Sequence, residues 1–551
     1  MAFTAPAKIL ATEFTPPPSP PLSENTEACD SVSAVQHAPT KSVSERRMGE
    51  TELSFYLPSR ADGVNDMYLH LGFRAPERLV DPARVCAVWA LLRLRHPLLA
   101  STVRMSDYDD VRFVYQPPES PESSLKDADR NLEFRTQSSH DLIDTYLNGT
   151  RTLSNERLSY LIVAHSKQSS GLETPLPTPD LAKTLNVLFE GESIVNEHDL
   201  LICAAHFIGD GMALHNFANE FFSTLSSDRS TKDIEDILHT EWEKKWGIDV
   251  EPRNILPPAL EDNLPALQGK FRRAACDVDY QNANDKLIGG HAFPRKRRGS
   301  RHTIVTRVPF DEKRTKQALQ KCKSQGVSIA NVLFAVCDIA WTRMSSSDPK
   351  LPIMFYSALN LRPYLFPSAE RSYWFLGVGF FNVILPNFLP KQGDVASTFW
   401  HRAKEAKRQC SNAVKNPLLI PRAQLKAEER GKQARIWAKE DDERERGIWQ
   451  APPQAPPKPA VAEKAPSTAL LGLSMLGNLD GIYKHSAFGN IKLHTLTTGS
   501  RQRSNAMLLF GYTFASKLWL SLGYDENGLD RDAVEQFWCE VLKGVDEFLL
   551  H

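Results

Sequence analysis

The fold is indicated best by one stretch of the chain, Leu200-Leu201-Ile202-Cys203-Ala204-Ala205-His206-Phe207-Ile208-Gly209-Asp210-Gly211. Its first three residues are apolar, which is typical of a buried strand. After Gly211, the residues Leu214, Phe217 and Phe221 recur at the spacing of one helix face, so a helix is predicted over 211–225. A histidine, a carboxylate and a glycine therefore lie where a strand gives way to a helix. Open α/β sheets bind ligands at such strand ends.

The composition excludes several classes of protein. The chain has 551 residues, of which 41% are apolar and 24% charged, as in ordinary globular proteins. A net charge of -1 argues against nucleic acid as a partner, because phosphate binding needs clustered positive charge. No apolar run reaches the roughly 18 residues of a membrane span, and no secretory signal is visible at the N-terminus. The eight cysteines are scattered without the close pairs of a zinc site, so we expect a cytoplasmic protein with free thiols and no metal.

Proline-rich and charge-rich segments divide the chain. Residues 1–44 are rich in Pro, Ser and Thr and are predicted to be a disordered tail. The stretch 231–300 is polar and mixed, so we expect a crossover between a first half, 45–230, and a second half, 301–551. Within the second half, dense mixed charges followed by a proline run indicate an exposed insertion at about 421–467.

Short apolar runs predict strands on both sides of the crossover. In the first half we expect strands at Leu158–His165, Leu185–Glu190 and Asp199–His206. In the second half, strands are predicted at Met507–Phe514 and Lys517–Tyr524, followed by an amphipathic helix over Leu529–Leu550.

His206 and Asp210 are the first candidates for chemistry. A neutral imidazole with an ordinary pKa of about 6.5 can accept a proton at cellular pH. Asp210 could orient that imidazole or pair with another group, and Gly211 would allow a close approach by backbone or ligand. A histidine at a strand end is also often an ordinary core residue, and the spacing by itself leaves both interpretations open.

A resemblance to a known superfamily rests on five segments taken together. The motif His206-x-x-x-Asp210-Gly211 resembles the His-x-x-x-Asp-Gly signature of CoA-dependent acyltransferases, which include BAHD enzymes, alcohol acetyltransferases, chloramphenicol acetyltransferase and peptide-synthetase condensation domains. Similar segments lie at Arg95–Leu99, Asn360–Arg362, Leu473–Asp480 and Leu520–Glu526. The resemblance spans about 45–551 apart from the insertion, and the pattern is most similar to the fungal trichothecene 15-O-acetyltransferase type.

The resemblance implies an α/β fold of two chloramphenicol-acetyltransferase-like lobes, with mixed sheets flanked by helices and an active-site tunnel at the lobe interface. It implies that His206 is the general base and that Asp210 pairs with Arg362 to position the loop that carries His206. Gly211 would keep the tunnel open. Acetyl-CoA or another acyl-CoA would be a co-substrate, with no bound cofactor.

Four further residues are candidates for lining the tunnel, namely Asn360, Ser474, Gly477 and Asn478. Turn residues at strand ends have the same composition, so a purely structural role is an equal alternative.

Three other features favour structural roles. Cys203 precedes His206 by three residues, which places the two side chains on opposite faces of a strand, so a core residue is expected rather than a nucleophile. A metal site formed by His206 and His215 would need both residues on one helix. His206 is expected to precede the helix, so no metal site is predicted. The basic run Arg295–Arg298 is expected to be a solvated loop rather than a site for the CoA phosphates or a nuclear address.

The leading hypothesis is a monomeric O-acyltransferase that uses acetyl-CoA to esterify a hydroxyl of a small natural product such as a terpenoid. Condensation domains carry two adjacent histidines, and Ala205 at the first of these positions favours ester rather than peptide formation. Two alternatives stay open. One is transfer of a longer acyl chain to a glycolipid or sugar hydroxyl, and the other is a catalytically silent binding or scaffold protein with the same fold.

Overall fold

The structure is a computed structural model that describes residues 43–165, 195–247, 255–344, 349–365, 372–390, 394–451 and 465–550. The predicted tail lies outside these ranges apart from its last two residues. The strand predicted at Leu185–Glu190 and most of the proline-rich run after Ala451 also lie outside the described residues.

The described residues form fifteen strands and thirteen helices. The strands are β1 Ser44–Arg47, β2 Met67–Pro76, β3 Thr102–Met105, β4 Val111–Tyr115, β5 Leu132–Arg135, β6 Ser159–His165, β7 Val195–Ala204, β8 Gly289–Gly290, β9 Thr303–Phe310, β10 Ile353–Asn360, β11 Val378–Leu385, β12 Ser467–Asn478, β13 Lys492–Ser500, β14 Met507–Phe514 and β15 Lys517–Asp525. The helices are α1 Glu50–Ser59, α2 Pro82–Arg95, α3 Pro121–Arg130, α4 Ser139–Asn148, α5 Gly211–Leu225, α6 Thr231–Trp246, α7 Leu260–Asn263, α8 Lys270–Asp285, α9 Glu312–Ser324, α10 Ile329–Met344, α11 Val395–Lys415, α12 Leu419–Glu445 and α13 Arg531–Val545.

The N-terminal lobe is built on a five-stranded mixed sheet of order β13-β2-β7-β6-β5. Its central strand β7 contains the apolar run Leu200–Ile202, which is completely buried as the sequence predicted. The edge strand β13 comes from the far end of the chain and pairs antiparallel with β2. This strand is not among those predicted from the sequence, because its pairing partner lies more than 400 residues away and no local pattern indicates that contact.

The C-terminal lobe is built on a seven-stranded mixed sheet whose main path is β11-β10-β12-β14-β15-β9, with β8 paired to β12. The predicted strands at Met507–Phe514 and Lys517–Tyr524 are confirmed as β14 and β15. The predicted final helix is present as α13 followed by a π-helical turn, Asp546–Leu550. The apolar side chains of α10 and α13 pack on one face of this sheet and form the core of the lobe. The opposite face carries residues that pack against the N-terminal core.

The expected crossover 231–300 differs from the structure in its first part. Helix α6 packs on α2, where the Lys245 ammonium donates to the carbonyl of Leu94 (2.9 Å) and Arg95 pairs with Glu241 (2.6 Å). The polar composition suggested a connecting segment, but the helix buries apolar side chains such as Ile234 and its charged residues bond to α2. The first part therefore extends the N-terminal lobe.

The expected exposed insertion 421–467 also differs in its first half. Residues 419–445 form the long helix α12, which packs along α1 and buries Leu425, Ala434 and Ala438. Arg435 pairs with Glu50 of α1 (2.6 Å), and Arg60 pairs with Asp442 (2.8 Å). The charges that suggested a linker belong to strong helix formers, and small alanines provide the buried stripe.

Among the described helices, none is by itself long and apolar enough to cross a membrane. Only α9 and α10 taken together meet a test of length and composition, and they are bent by 94° at the break between them.

Candidate active site

The loop between β7 and α5 carries the His206 motif. After β7 ends at Ala204, a short 3-10 turn covers His206–Ile208, and α5 begins at Gly211. Asp210 is the N-cap of α5, and its Oδ1 accepts hydrogen bonds from the backbone N–H groups of Met212 (3.0 Å) and Ala213 (3.2 Å). A carboxylate suits this position because it satisfies two orphan donors and the positive end of the helix dipole.

One ring nitrogen of His206 is held and the other is free. Its Nδ1 lies 3.0 Å from the carbonyl oxygen of Gly209, so Nδ1 carries the proton and donates. Nε2 has no hydrogen-bond partner among the described residues, and its lone pair can accept a proton. The ring of Phe55 from α1 lies against the imidazole, with 4.4 Å between the centroids. Burial lowers the pKa of His206 from its ordinary 6.5, which keeps the imidazole neutral at neutral pH.

Asp210 bonds across the lobe interface rather than to His206. Its Oδ2 accepts from the guanidinium of Arg362 (2.8 Å) and from the backbone N–H of Gly377 (2.8 Å). Arg362 in turn donates to the carbonyl of Phe375 (2.8 Å) and lies over the ring of that residue (4.6 Å). The Asp210–Arg362 pair expected from the resemblance is thus present in the structure. No hydrogen bond joins Asp210 to the imidazole among the described residues.

The segment 372–377, between β10 and β11, fastens the second lobe to the histidine loop. Trp374 is fully buried, and a Cβ placed on Gly209 would lie only 2.7 Å from its ring. Tyr373 donates to Glu220 of α5 (2.5 Å), which also contacts Nε2 of His96 (3.2 Å). The segment is not among the candidates predicted from the sequence. The one available signal was its run of aromatic residues, which is equally typical of a core strand.

The structure separates the roles of the two glycines in the motif. At Gly209, the ring of Trp374 leaves no space for a side chain. At Gly211, an added Cβ would meet only the side chain of Leu476 at 3.5 Å, which is an ordinary contact. Close approach therefore requires glycine at 209, which sequence analysis did not select, rather than at 211. Leu476 belongs to β12, so α5 begins directly against that strand.

The predicted tunnel residues are brought to this region with different partners. Asn360 is exposed, and its side-chain oxygen accepts from the backbone N–H of Arg362 (3.1 Å). Asn478 is exposed and accepts from the hydroxyl of Thr513 (3.1 Å). Both amides therefore stabilise their own strand ends. Gly477 has a positive φ of 73°, a backbone conformation that glycine adopts without strain.

Ser474 lies on the face of the C-terminal sheet that is turned toward the N-terminal lobe. It pairs with Phe510, whose ring packs against the N-terminal core. Its side chain is partly buried, and its hydroxyl makes no hydrogen bond with the described residues. Ser474 therefore keeps a hydroxyl donor available to a ligand at this face.

The cysteine, the second histidine and the basic run considered from the sequence all have partners or burial that fit structural roles. Cys203 is buried and its pKa is raised by burial, so its thiol is not activated. His215 donates to or accepts from the hydroxyl of Tyr483 (2.9 Å), and burial lowers its pKa to about 3. In the basic run, Lys296 pairs with Asp530 (2.6 Å). Within the described ranges no group of three His, Cys, Asp or Glu side chains could hold a metal ion.

The two mixed sheets, flanked by helices and joined through the His206 loop, have the two-lobe fold of chloramphenicol-acetyltransferase-like proteins. No protein-family model and no curated protein matches the sequence. Among solved structures, TRI3 trichothecene 15-O-acetyltransferase from Fusarium sporotrichioides matches with a TM-score of 0.69 at 14% identity, covering 92% of this chain and 95% of that chain.

Two other solved structures match over nearly their whole length. Polyketide synthase associated protein 5 from Mycobacterium tuberculosis has a TM-score of 0.55 at 12% identity, covering 93% of this chain and 99% of that chain. The condensation domain of the monacolin K polyketide synthase MokA has a TM-score of 0.53 at 11% identity, with coverages of 93% and 99%. At such identities the likeness establishes the fold, and the reaction has to be argued from the site.

Proposed function

We propose that this chain is an O-acyltransferase that transfers an acetyl group from acetyl-CoA to a hydroxyl of a small natural product, with His206 as the general base. The observation that carries this proposal is the state of the imidazole. Its Nδ1 is fixed by the Gly209 carbonyl, its Nε2 is free, and burial lowers its pKa. A neutral, oriented imidazole between two lobes is suited to accept a proton from a bound alcohol.

The reaction needs one base and no covalent enzyme intermediate. Nε2 of His206 takes the proton of the acceptor hydroxyl, and the resulting alkoxide oxygen bonds to the thioester carbonyl carbon. The tetrahedral intermediate then collapses with cleavage of the C–S bond. The proton passes from Nε2 to the departing CoA thiolate, so the imidazole is neutral again at the end of the cycle.

Asp210 and Arg362 act as positioning residues in this proposal. The Asp210 carboxylate bonds to the start of α5 and to the segment 372–377. These two elements in turn hold the peptide unit of Gly209, whose carbonyl orients the imidazole. Ser474 is the proposed donor to the oxyanion of the intermediate, because its hydroxyl is free and lies on the sheet face that meets the N-terminal lobe. The tunnel between the lobes is part of the same proposal.

The similarity to TRI3 supports acetyl transfer to a secondary metabolite, since that protein is a trichothecene 15-O-acetyltransferase. The likeness to condensation domains is a likeness of fold. Ala205 stands where those domains carry the first of two histidines, which favours an alcohol acceptor over an amine.

The test is acyl transfer by the full chain, measured as thiol release from acetyl-CoA in the presence of a panel of hydroxylated natural products. His206→Ala should lower kcat/KM by at least about 100-fold, as expected for loss of a general base. His140→Ala, at an exposed histidine of α4, is the matched control and should keep full activity.

Three results would decide between the functions. An active and folded His206→Ala protein would overturn the assignment of the base. Thiol release with long-chain acyl-CoAs but not with acetyl-CoA would favour the glycolipid or sugar alternative. No thiol release from any acyl-CoA, with acceptors still bound, would favour a silent binding protein.

A further inference from the structure

Arg430 on α12 lies one aromatic ring away from the imidazole of His206. Its guanidinium carbon is 5.2 Å from the ring of Phe55, the same ring that lies against His206. The guanidinium also lies 4.4 Å from the ring of Phe380 in β11. These rings attract the cation, but they offer no acceptor to its five N–H donors.

Two more polar side chains belong to the same cluster, Arg503 before β14 and Tyr356 on β10. Tyr356 lies on the strand face that carries Phe380, the ring next to Arg430, and it raises the pKa of Arg430 whereas Arg503 lowers it. The pKa of Arg503 is lowered mainly by burial, and the charge of Tyr356 opposes that shift. Neither guanidinium makes a hydrogen bond or an ion pair with any carboxylate among the described residues.

Arg430 and Arg503 are partly buried, and neither side chain has a hydrogen-bond acceptor among the described residues. Burial, followed by the charge of Arg503, lowers the pKa of Arg430 to about 10. Two partly buried cations that repel each other and lack acceptors are costly unless water or a ligand solvates them. More deeply buried arginines among the described residues do have acceptors: Arg402 pairs with Asp338 (2.5 Å), and Arg84 donates to three backbone carbonyls.

The cluster borders solvent-accessible space between the lobes. Strand β10 is internal to its sheet, yet Tyr356 is 38% exposed and Ala358 is exposed as well. Successive residues alternate between the faces of a strand, so both lie on the face that carries Phe380 across the β10–β11 ladder. Tyr356 leans over Gly472, where an added Cβ would lie 2.3 Å from its ring. Because Gly472 has no side chain, the phenol ring of Tyr356 can lie over it and border the space beside Arg430.

We infer that Arg430, Arg503 and Tyr356 form an anion-binding subsite for a carboxylate carried by one of the two substrates. Planar guanidinium groups bind carboxylates through paired N–H donors, and a phenol adds a third donor. The bound carboxylate would offset one of the two positive charges of this cluster. The inference rests on the proposed acyl transfer and narrows its substrate class to a carboxylate-bearing acceptor or a dicarboxylic acyl group.

The phosphates of CoA do not fit this subsite. Arg430 is separated from the imidazole only by the ring of Phe55, whereas the whole pantetheine arm separates the thioester from the nucleotide phosphates. With the thioester at His206, those phosphates lie far from Arg430. A carboxylate on the acceptor or at the end of a short acyl chain is within reach.

The experiment measures binding in the full-length His206→Ala protein, so that no turnover takes place. One arm compares benzoate with benzamide by ligand-observed NMR titration, which tests a carboxylate on the acceptor. The other arm compares malonyl-CoA with acetyl-CoA by calorimetry, which tests a carboxylate on the acyl group. We expect the carboxylate of at least one pair to bind about tenfold more tightly than its neutral partner.

Substitutions test whether the preference for a carboxylate over its neutral partner depends on the two arginines. Arg430→Gln and Arg503→Gln should each abolish it, and Arg130→Gln, at an exposed arginine of α3, should leave it intact. Thermal unfolding checks that each variant is folded, and Arg503→Lys, which keeps the charge, should retain part of the preference. The arm that responds identifies the substrate that carries the carboxylate.

Two results would overturn the subsite, namely equal binding within both pairs or a preference that survives both glutamine substitutions. These results are separate from the fate of the proposed function. Acyl transfer by the wild-type protein without a carboxylate preference would remove the subsite alone. A carboxylate preference without thiol release from any acyl-CoA would remove the acyl transfer alone.

Discussion

Arg362 and Arg430 both approach the His206 loop from the second half of the chain, but their surroundings are opposite. Arg362 has a carboxylate at 2.8 Å and a carbonyl at 2.8 Å, and its side chain is only 16% exposed. Arg430 lies between two aromatic rings and has no acceptor among the described residues. A bonded buried cation stabilises the loops it joins, whereas an unbonded one costs stability and is explained best by a ligand.

The largest effect is expected from Asp210→Ala. The change leaves the Arg362 guanidinium, the N–H of Gly377 and the first N–H groups of α5 without their acceptor. We expect the free energy of unfolding, measured by urea titration, to fall by about 3 kcal/mol or more. Asp236→Ala, at an exposed carboxylate of α6, should change it by less than about 0.5 kcal/mol.

The double variant Asp210→Ala/Arg362→Met sharpens this result. Removing both partners avoids an uncompensated cation, so part of the lost stability should return. Losses that simply add would mean that the two side chains do not depend on each other, and the contrast with Arg430 would fail.

Gly209→Ala is expected to have the next largest effect. The new methyl group would meet the ring of Trp374 at 2.7 Å and push away the segment that Arg362 holds. Overpacking of this kind costs about 2 kcal/mol, to be measured by urea titration. Gly211→Ala is the matched comparison and should change stability by less than about 1 kcal/mol, since its methyl group makes an ordinary contact. Equal effects of the two changes would contradict the assignment of the close approach to residue 209.

Arg430→Met should leave stability within about 1 kcal/mol of the wild type. Methionine keeps apolar contacts with Phe55 and Phe380, and the loss of cation–π attraction is offset by removal of an unpaired charge. The measurement is again a urea titration. A loss as large as that of Asp210→Ala would reveal a structural partner for Arg430 and would end the contrast with Arg362.

The smallest effect concerns the pH dependence of kcat/KM. The base acts when neutral, so activity is present above the pKa of His206 and is lost as the pH falls through it. Because that pKa is lowered from 6.5, the acidic limb should lie below pH 6.5. The charge of Arg430 lowers the pKa of His206 and that of Asp210 raises it. Arg430→Met should therefore move the limb to higher pH, and Asp210→Asn, if folded, to lower pH. Shifts in the same direction would contradict the opposite electrostatic roles.

Much of the local structure of the site was predictable from the sequence. The apolar run of β7 and the 3.6-residue spacing after Gly211 indicated the strand and helix around His206, and both are present. The Asp210–Arg362 contact was expected from a family resemblance, since nothing near either residue indicates a partner 152 positions away. The prediction of an exposed insertion at about 421–467 does not fit its first half, because charge density does not distinguish a linker from a helix whose alanines are buried.

The sequence by itself determined the strand, the helix and the candidate base, because these follow from short-range periodicity and from the chemistry of single side chains. Tertiary structure decided which imidazole nitrogen is free, which glycine is tightly packed and which arginines lack an anion. Each of these depends on groups that are distant along the chain, such as Phe55, Trp374 and Arg430. Contacts of that kind arise only when the two lobes pack together, so no local pattern records them.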